Sequence, residues 1–310
     1  MIKTDVKLEN GGYVAQFRSD LGGNCYRLYH KETGSELLRV PESEDKLFSE
    51  IYLFGNPILF PPNRIRGGEF EFEGRRYSFP INEPSTNSHI HGALYKKPFK
   101  IISQSLDRVE FLYEAKAGEY IGFPHAFHIV RTYTLDESGL CESVKVFNDS
   151  DTNMPFMLAF HTTFNIPFAT NACQENCYMK VAVGKEHIRD DKYLPTLEYK
   201  SGREREKKLN SGTYPIASDA LSAFYDNFDS KSEIIDTDKG LKIVYEASEE
   251  YKYRMLWVKK GANLAVIEPQ TSAIDCFHLE EPAEKKGLIV VKPGESKELI
   301  TKFSIALLDK

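Results

Sequence analysis

This sequence predicts an all-β sandwich, and three observations carry that reading. Apolar residues recur at every second position in many short stretches, the pattern of strands with one buried face. Gly-, Asn- and Asp-containing turn signals separate these stretches at hairpin spacing. Helical signals are few. Many short strands joined by turns lead to sheets packed on sheets.

In chain order, Tyr13 to Arg18 and Asn24 to His30 flank Gly22-Gly23 and read as an opening hairpin. Ser43 to Ile51 reads as a short helix, with Ser43 as N-cap and Asp45 in its first turn. From Glu69 the alternation returns: Phe70 and Phe72 face one way, Glu69, Glu71 and Glu73 the other. Gly74 turns the chain into Tyr77 and Phe79. Phe99 to Ser105 with Arg108 to Glu114, and Phe127 to Leu135 with Leu140 to Asn148, form two further hairpins. Met154 to His161 is an apolar strand, and the Lys/Glu-rich segment from Tyr199 to Ser211 reads as a solvated loop or hairpin tip. Leu241 to Glu246, Tyr253 to Val258, Leu264 to Glu268 and Glu298 to Leu307 complete the strands. Pro269 is expected to end its strand, because it has no N–H for a central ladder.

Composition narrows the function classes. Hydrophobic residues make up 41% and charged residues 28% of the 310, as in ordinary globular proteins. A net charge of −6 leaves no basic footprint for nucleic acid or an anionic membrane. The N-terminus has no apolar signal core and no stretch approaches ~18 apolar residues, so the expectation is a cytoplasmic protein with no membrane partner. Five scattered cysteines read as free thiols. Cys173 and Cys177 lack a second pair to complete a tetrahedral metal set, and there is no Gly-rich phosphate loop. No metal or other cofactor is expected.

Three places offer chemistry. In Asn63-Arg64 and His89-Ile-His91-Gly92, a guanidinium fork and imidazoles on a two-stranded platform would make a mouth for hydroxyls or carboxylates. From spacing alone this block reads first as a buried hairpin with a solvent-facing arginine. Glu268 ends the aliphatic strand Leu264-Ala-Val-Ile267, where desolvation would raise its pKa and make it a better base near neutrality. A rim glutamate paired with a lysine is the commoner case. His161 ends Met157-Leu-Ala-Phe160, either as a proton donor near neutrality or as a histidine capping a core strand.

The ordered set Asn56-Pro57, Pro62-Asn63-Arg64-Ile65, Gly74, His91-Gly92, His161-Thr-Thr-Phe164-Asn165, Glu268-Pro-Gln270-Thr271 and Lys292-Pro-Gly-Glu295 resembles the aldose 1-epimerase (galactose mutarotase-like) family over most of the chain. The resemblance implies a large twisted antiparallel β-sandwich, the supersandwich, as a single domain over residues 1–310. It implies interconversion of the α and β anomers of an aldohexose, with Glu268 as catalytic base and His161 as general acid. Asn63, Arg64, His91, Gln270 and Asp226 would bind the sugar, in a monomer or homodimer. Two departures bear on which sugar: Ser222 stands where relatives carry a sugar-gripping aspartate, with Asp219 and Asp226 out of register, and Phe99 replaces a usual tryptophan. His125 and His128 are expected to pack, Arg66, Arg75 and Arg76 to be solvated, and Trp257 to be core or pocket wall. The alternatives are a non-catalytic carbohydrate-binding protein on the same fold and an epimerase of hexose 6-phosphates. A glycosidase is disfavoured, since only one good carboxylate can be named.

Overall fold

The computed structural model describes residues 2–218 and 220–308. The period-two stretches become antiparallel ladders. The hairpin from Phe127–Asp136 to Gly139–Asn148 pairs Phe127 with Asn148 and Asp136 with Gly139, and burial alternates along it as the sequence predicts. Among the described residues a 15-stranded sheet runs from Lys100–Gln104 at one edge to Ile58–Leu59 at the other. A second, four-stranded sheet of residues 6–36 packs on it, with the Phe17 ring 4.6 Å from Tyr133 and 6.0 Å from Phe111. A large buried apolar cluster, with members from Val6 to Phe303, joins these sheets and the smaller hairpins. The fold is the expected antiparallel β-sandwich. Among the described residues, no helix is long and apolar enough to cross a membrane.

The short helix forms as read, over Glu44–Ser49, with the Ser43 hydroxyl accepting from the Lys46 N–H at 3.1 Å. Three segments differ from expectation. Tyr199 to Ser211 is not a loop or hairpin tip: Pro195–Lys200 is a strand and Glu204–Ser211 a helix. Glu206 reaches back to the Arg203 N–H at 2.9 Å, Leu209 is buried, and Gly212 closes the end in the left-handed region. Met154 to His161 is two strands, because the chain changes partners midway. Met154–Phe156 pairs with Ile289–Val291, whereas Ala159–Phe160 joins the large sheet. Pro269 does not end its strand, which runs Leu264–Gln270 with Pro269 opposite Arg254. On its other side the neighbouring strand is interrupted between Phe160 and Thr162, so the missing N–H falls where the ladder is already broken.

Candidate functional site

That interruption builds the site. Ala159–Phe160 and Thr162–Asn165 both pair with Leu264–Gln270, and in one continuous register: Ala159 opposite Gln270, Thr162 opposite Ile267. The register sets His161 across from Glu268, and residues opposed in an antiparallel pair stand on the same face. His161 Nε2 lies 3.6 Å from Glu268 Oε1. On the far side Glu268 is opposite Met255, and Trp257 is opposite Ser222.

A small ladder, Arg64–Arg66 with Ser88–Ile90, forms the facing wall. Asn63 and His91 close its end: His91 N–H donates to the Asn63 carbonyl at 3.1 Å, and Asn63 N–H donates to His91 Nδ1 at 3.3 Å. An accepting Nδ1 leaves the Nε2 of a neutral His91 as an N–H donor. Asn63 and His91 both take left-handed backbone, at φ 55° and 65°. Gly92 follows because a Cβ there would lie 1.7 Å from the Phe60 carbonyl oxygen. Asp275 braces this wall, its N–H bonded to the Arg64 carbonyl and its Oδ1 to the Arg66 N–H.

Between the walls is a cavity of about 590 Å³. Asn63, Arg64, His91, His161 and Glu268 all line it, as do Ser222 and Trp257. The Arg64 fork is held by Glu83 through two bonds of 2.6 and 2.8 Å. Sequence reasoning missed Tyr52, Glu83, Arg189, Tyr193 and Met255. Tyr52 packs its ring 5.1 Å from His91 and 5.9 Å from His161. None of the five lies in a local pattern that marks a site; only the fold brings them in.

Other expected residues lie elsewhere. Gln270 is fully buried behind Glu268 and donates to its Oε2 at 3.0 Å, so it meets the carboxylate and does not line the cleft. Asp226 bonds His187 at 2.6 Å, outside the cavity. It sits four residues along the strand from Ser222, about 13 Å away at strand rise. Asp219 lies outside the described residues. His125 is packed between Tyr77 and Ser150, and His128 stacks on Phe147. Phe99 is core, and Arg66 and Arg76 are exposed.

Burial dominates the electrostatics. It pushes the Glu268 carboxyl up to about 8, against the pull of the Gln270 bond, Arg189 and Arg64. It pushes His161 down to about 4, and His91 well below its ordinary value with help from His161 and Arg64. Near neutrality the facing pair Glu268–His161 therefore carries one proton. Such a pair can take a proton from one atom of a small molecule and return one to a neighbouring atom.

The match to the sequence profile of the family described as aldose 1-epimerase spans residues 4–304. A galactose mutarotase-like protein of Clostridium acetobutylicum is similar in structure, with 29% identity, a TM-score of 0.93, and coverage of 99% of this chain and 98% of that one. A galactose 1-epimerase of Lactobacillus acidophilus shares the fold at 14% identity and a TM-score of 0.74, over 98% of this chain and 94% of its own. In sequence, the Escherichia coli protein YphB is 21% identical over 248 residues, 77% of this chain and 79% of that protein. The profile covers almost the whole chain, and the chain belongs to the aldose 1-epimerase family.

Proposed function

We propose that this protein is an aldose 1-epimerase that equilibrates the α and β anomers of a free aldose, with Glu268 as base and His161 as acid. The observation that carries the reading is the facing of these two side chains at 3.6 Å across one edge of a cavity that two polar walls enclose. A hexose has its anomeric hydroxyl and ring oxygen on adjacent positions, so one pair can serve both.

The proton balance is closed. In the reacting form Glu268 is a carboxylate and His161 an imidazolium. Glu268 takes the proton of the anomeric hydroxyl while His161 delivers one to the ring oxygen, and the C1–ring oxygen bond breaks. The open aldehyde leaves a neutral carboxylic acid facing a neutral imidazole, the form that burial favours in the empty site. Rotation about C1–C2 presents the other carbonyl face, and the two transfers run backwards to close the opposite anomer. His91 Nε2–H, Asn63 and Arg64 hold the ring hydroxyls while this happens. Gln270 is a positioning residue, fixing the Glu268 carboxylate from behind. No electrons and no group leave the sugar.

Polarimetry on freshly dissolved α-hexose tests the reading. Accelerated relaxation, lost in Glu268→Gln, supports it. Relaxation at the spontaneous rate with the intact protein, alongside measurable sugar binding, makes the chain a carbohydrate-binding protein instead.

A further inference from the structure

Five acidic or basic side chains besides the histidines line the cleft, and four are accounted for. Arg64 is forked onto Glu83, and Glu50 bonds Lys46 beside Arg39. Glu268 holds its proton. The fifth, Arg189, makes no ion pair among the described residues. Its Nη2 donates to the Ser222 carbonyl at 2.7 Å and the Ser222 hydroxyl at 3.1 Å, and its Nη1 lies 3.7 Å from Met255 Sδ. These neutral partners aim the guanidinium without neutralising it.

The setting is a built one. Arg189 ends the Cys177–Arg189 strand and is paired with Pro195 across a tight turn. Asp190 Oδ1 accepts from the N–H groups of Lys192 and Leu194, both at 2.9 Å, and Tyr193 is held in the left-handed region at φ 60°. The Tyr193 ring lies between two cations, 4.7 Å from the Arg64 guanidinium and 5.8 Å from that of Arg189. Burial and the nearby Arg64 both press on the Arg189 charge and push its pKa down, against the weaker pull of the more distant Glu186 and Glu268 carboxyls and Tyr193. A partly desolvated guanidinium with no carboxylate in ion-pair contact among the described residues is matched by an anion from the ligand.

We propose that the aldose taken by this site carries an anionic group, a carboxylate or a phosphate, on a carbon other than C1, and that Arg189, set on Ser222, selects it. The proposal rests on the epimerase reading, which requires the C1 hydroxyl to be free. It gives the β-hairpin tip of residues 189–195 the task of recognition.

The test compares kcat/KM for mutarotation of glucose and galactose with that of glucuronate, galacturonate and the two 6-phosphates. One anionic class should exceed its neutral parent by about ten- to hundredfold, the factor a charge-assisted contact supplies, and the advantage should shrink with added salt. Uronates against phosphates identify which anion is meant. Arg189→Gln should collapse the anionic-to-neutral ratio towards one, and Arg189→Lys should keep part of it. Ratios at or below one for both anionic classes with the intact protein overturn the proposal. So does an Arg189→Gln variant that keeps the ratio and moves only the pH profile, which would make Arg189 an electrostatic partner of Glu268. If no aldose, charged or neutral, is accelerated, the epimerase reading is what fails. Calorimetry with methyl glycosides, which cannot open, then decides the anion site by itself. Tighter binding of the anionic glycoside that depends on Arg189 sustains it, and equal binding ends it.

Discussion

Glu142 and Glu268 are both buried carboxylates on strands of the same sheet, 0% and 3% exposed, yet their surroundings are opposite. Glu142 accepts from Arg131 Nε at 2.6 Å, Asn56 Nδ2 at 2.6 Å and Thr301 Oγ1 at 3.0 Å. Arg131 uses its remaining nitrogens on the Gly22 and Asn56 carbonyls, both at 2.7 Å. Glu268 has one donor, Gln270, and then the cleft. The saturated carboxylate is a fastener. It holds Asn56-Pro57, and this segment in turn receives the Thr162 hydroxyl on Asn56 Oδ1 and the His161 N–H on the Pro57 carbonyl. The undersaturated one keeps its proton near neutrality and has it available for exchange. Hydrogen-bond saturation, not depth of burial, separates the fully bonded carboxylate from the one that faces the cleft.

The comparison can be broken most sharply at position 268. Glu268→Gln should cut kcat about 10²- to 10⁴-fold, as loss of a positioned proton-transfer group does, while the protein stays folded; polarimetry and circular dichroism check the two halves. Next in size, Arg131→Met leaves the Glu142 carboxylate buried without its cation and should destabilise the fold by about 3–5 kcal/mol, read from denaturant midpoints.

The pH dependence sharpens the contrast. The reacting pair holds one proton, so kcat/KM should fall on the acid side below about 4, where His161 and Glu268 both bind protons, and on the alkaline side above about 8, where neither does. A flat profile from pH 4 to 10 would remove Glu268 and His161 from the chemistry.

A smaller effect lies in stability. The folded Glu268 pKa stands above its ordinary 4.5, so between 4.5 and about 8 the folded state holds a proton that the unfolded state has lost. Stability contributed by this group therefore declines as pH rises through that window. Glu268→Gln has no such proton, and its thermal midpoint should match the parent near pH 4.5 and exceed it by a few degrees at pH 8. Smallest of all, Gln270→Leu removes the donor that favours the Glu268 carboxylate, and its alkaline limb should move up by about one pH unit or less.

Much of the sheet was legible because a strand with one dry face must alternate, and burial alternates along Phe127–Asp136 and from Leu140 to Asn148, with the mutually paired Arg131 and Glu142 as charged exceptions on the dry face. The Glu204–Ser211 helix was not, since Arg203 occupies the N-cap where Ser, Thr, Asp or Asn would have announced it. Pro269 misled in the other direction: a missing N–H matters only if a partner waits opposite, and the break at His161 is a long-range fact. In the site, Asn63, Arg64, His91, His161 and Glu268 of the motif blocks met in one cleft, whereas Arg189 and Tyr193 come from a turn whose sequence carries no chemical pattern. Asp226 illustrates the limit of counting along a strand. Its face is predictable, but four positions of strand rise carry it beyond reach of the cavity.

The single-residue gap that seats His161 has a consequence for how such a protein can diversify. His161 and Glu268, the proposed proton donor and acceptor, are spaced by the pitch of the sheet itself, a lattice dimension that surface insertions do not disturb. If Arg189 recognises the ligand as proposed, admission to the cleft is governed from a five-residue turn, 190–194, at the rim. A new clientele can thus be acquired by exchanging that turn together with Arg189, while the reacting centre is inherited unchanged.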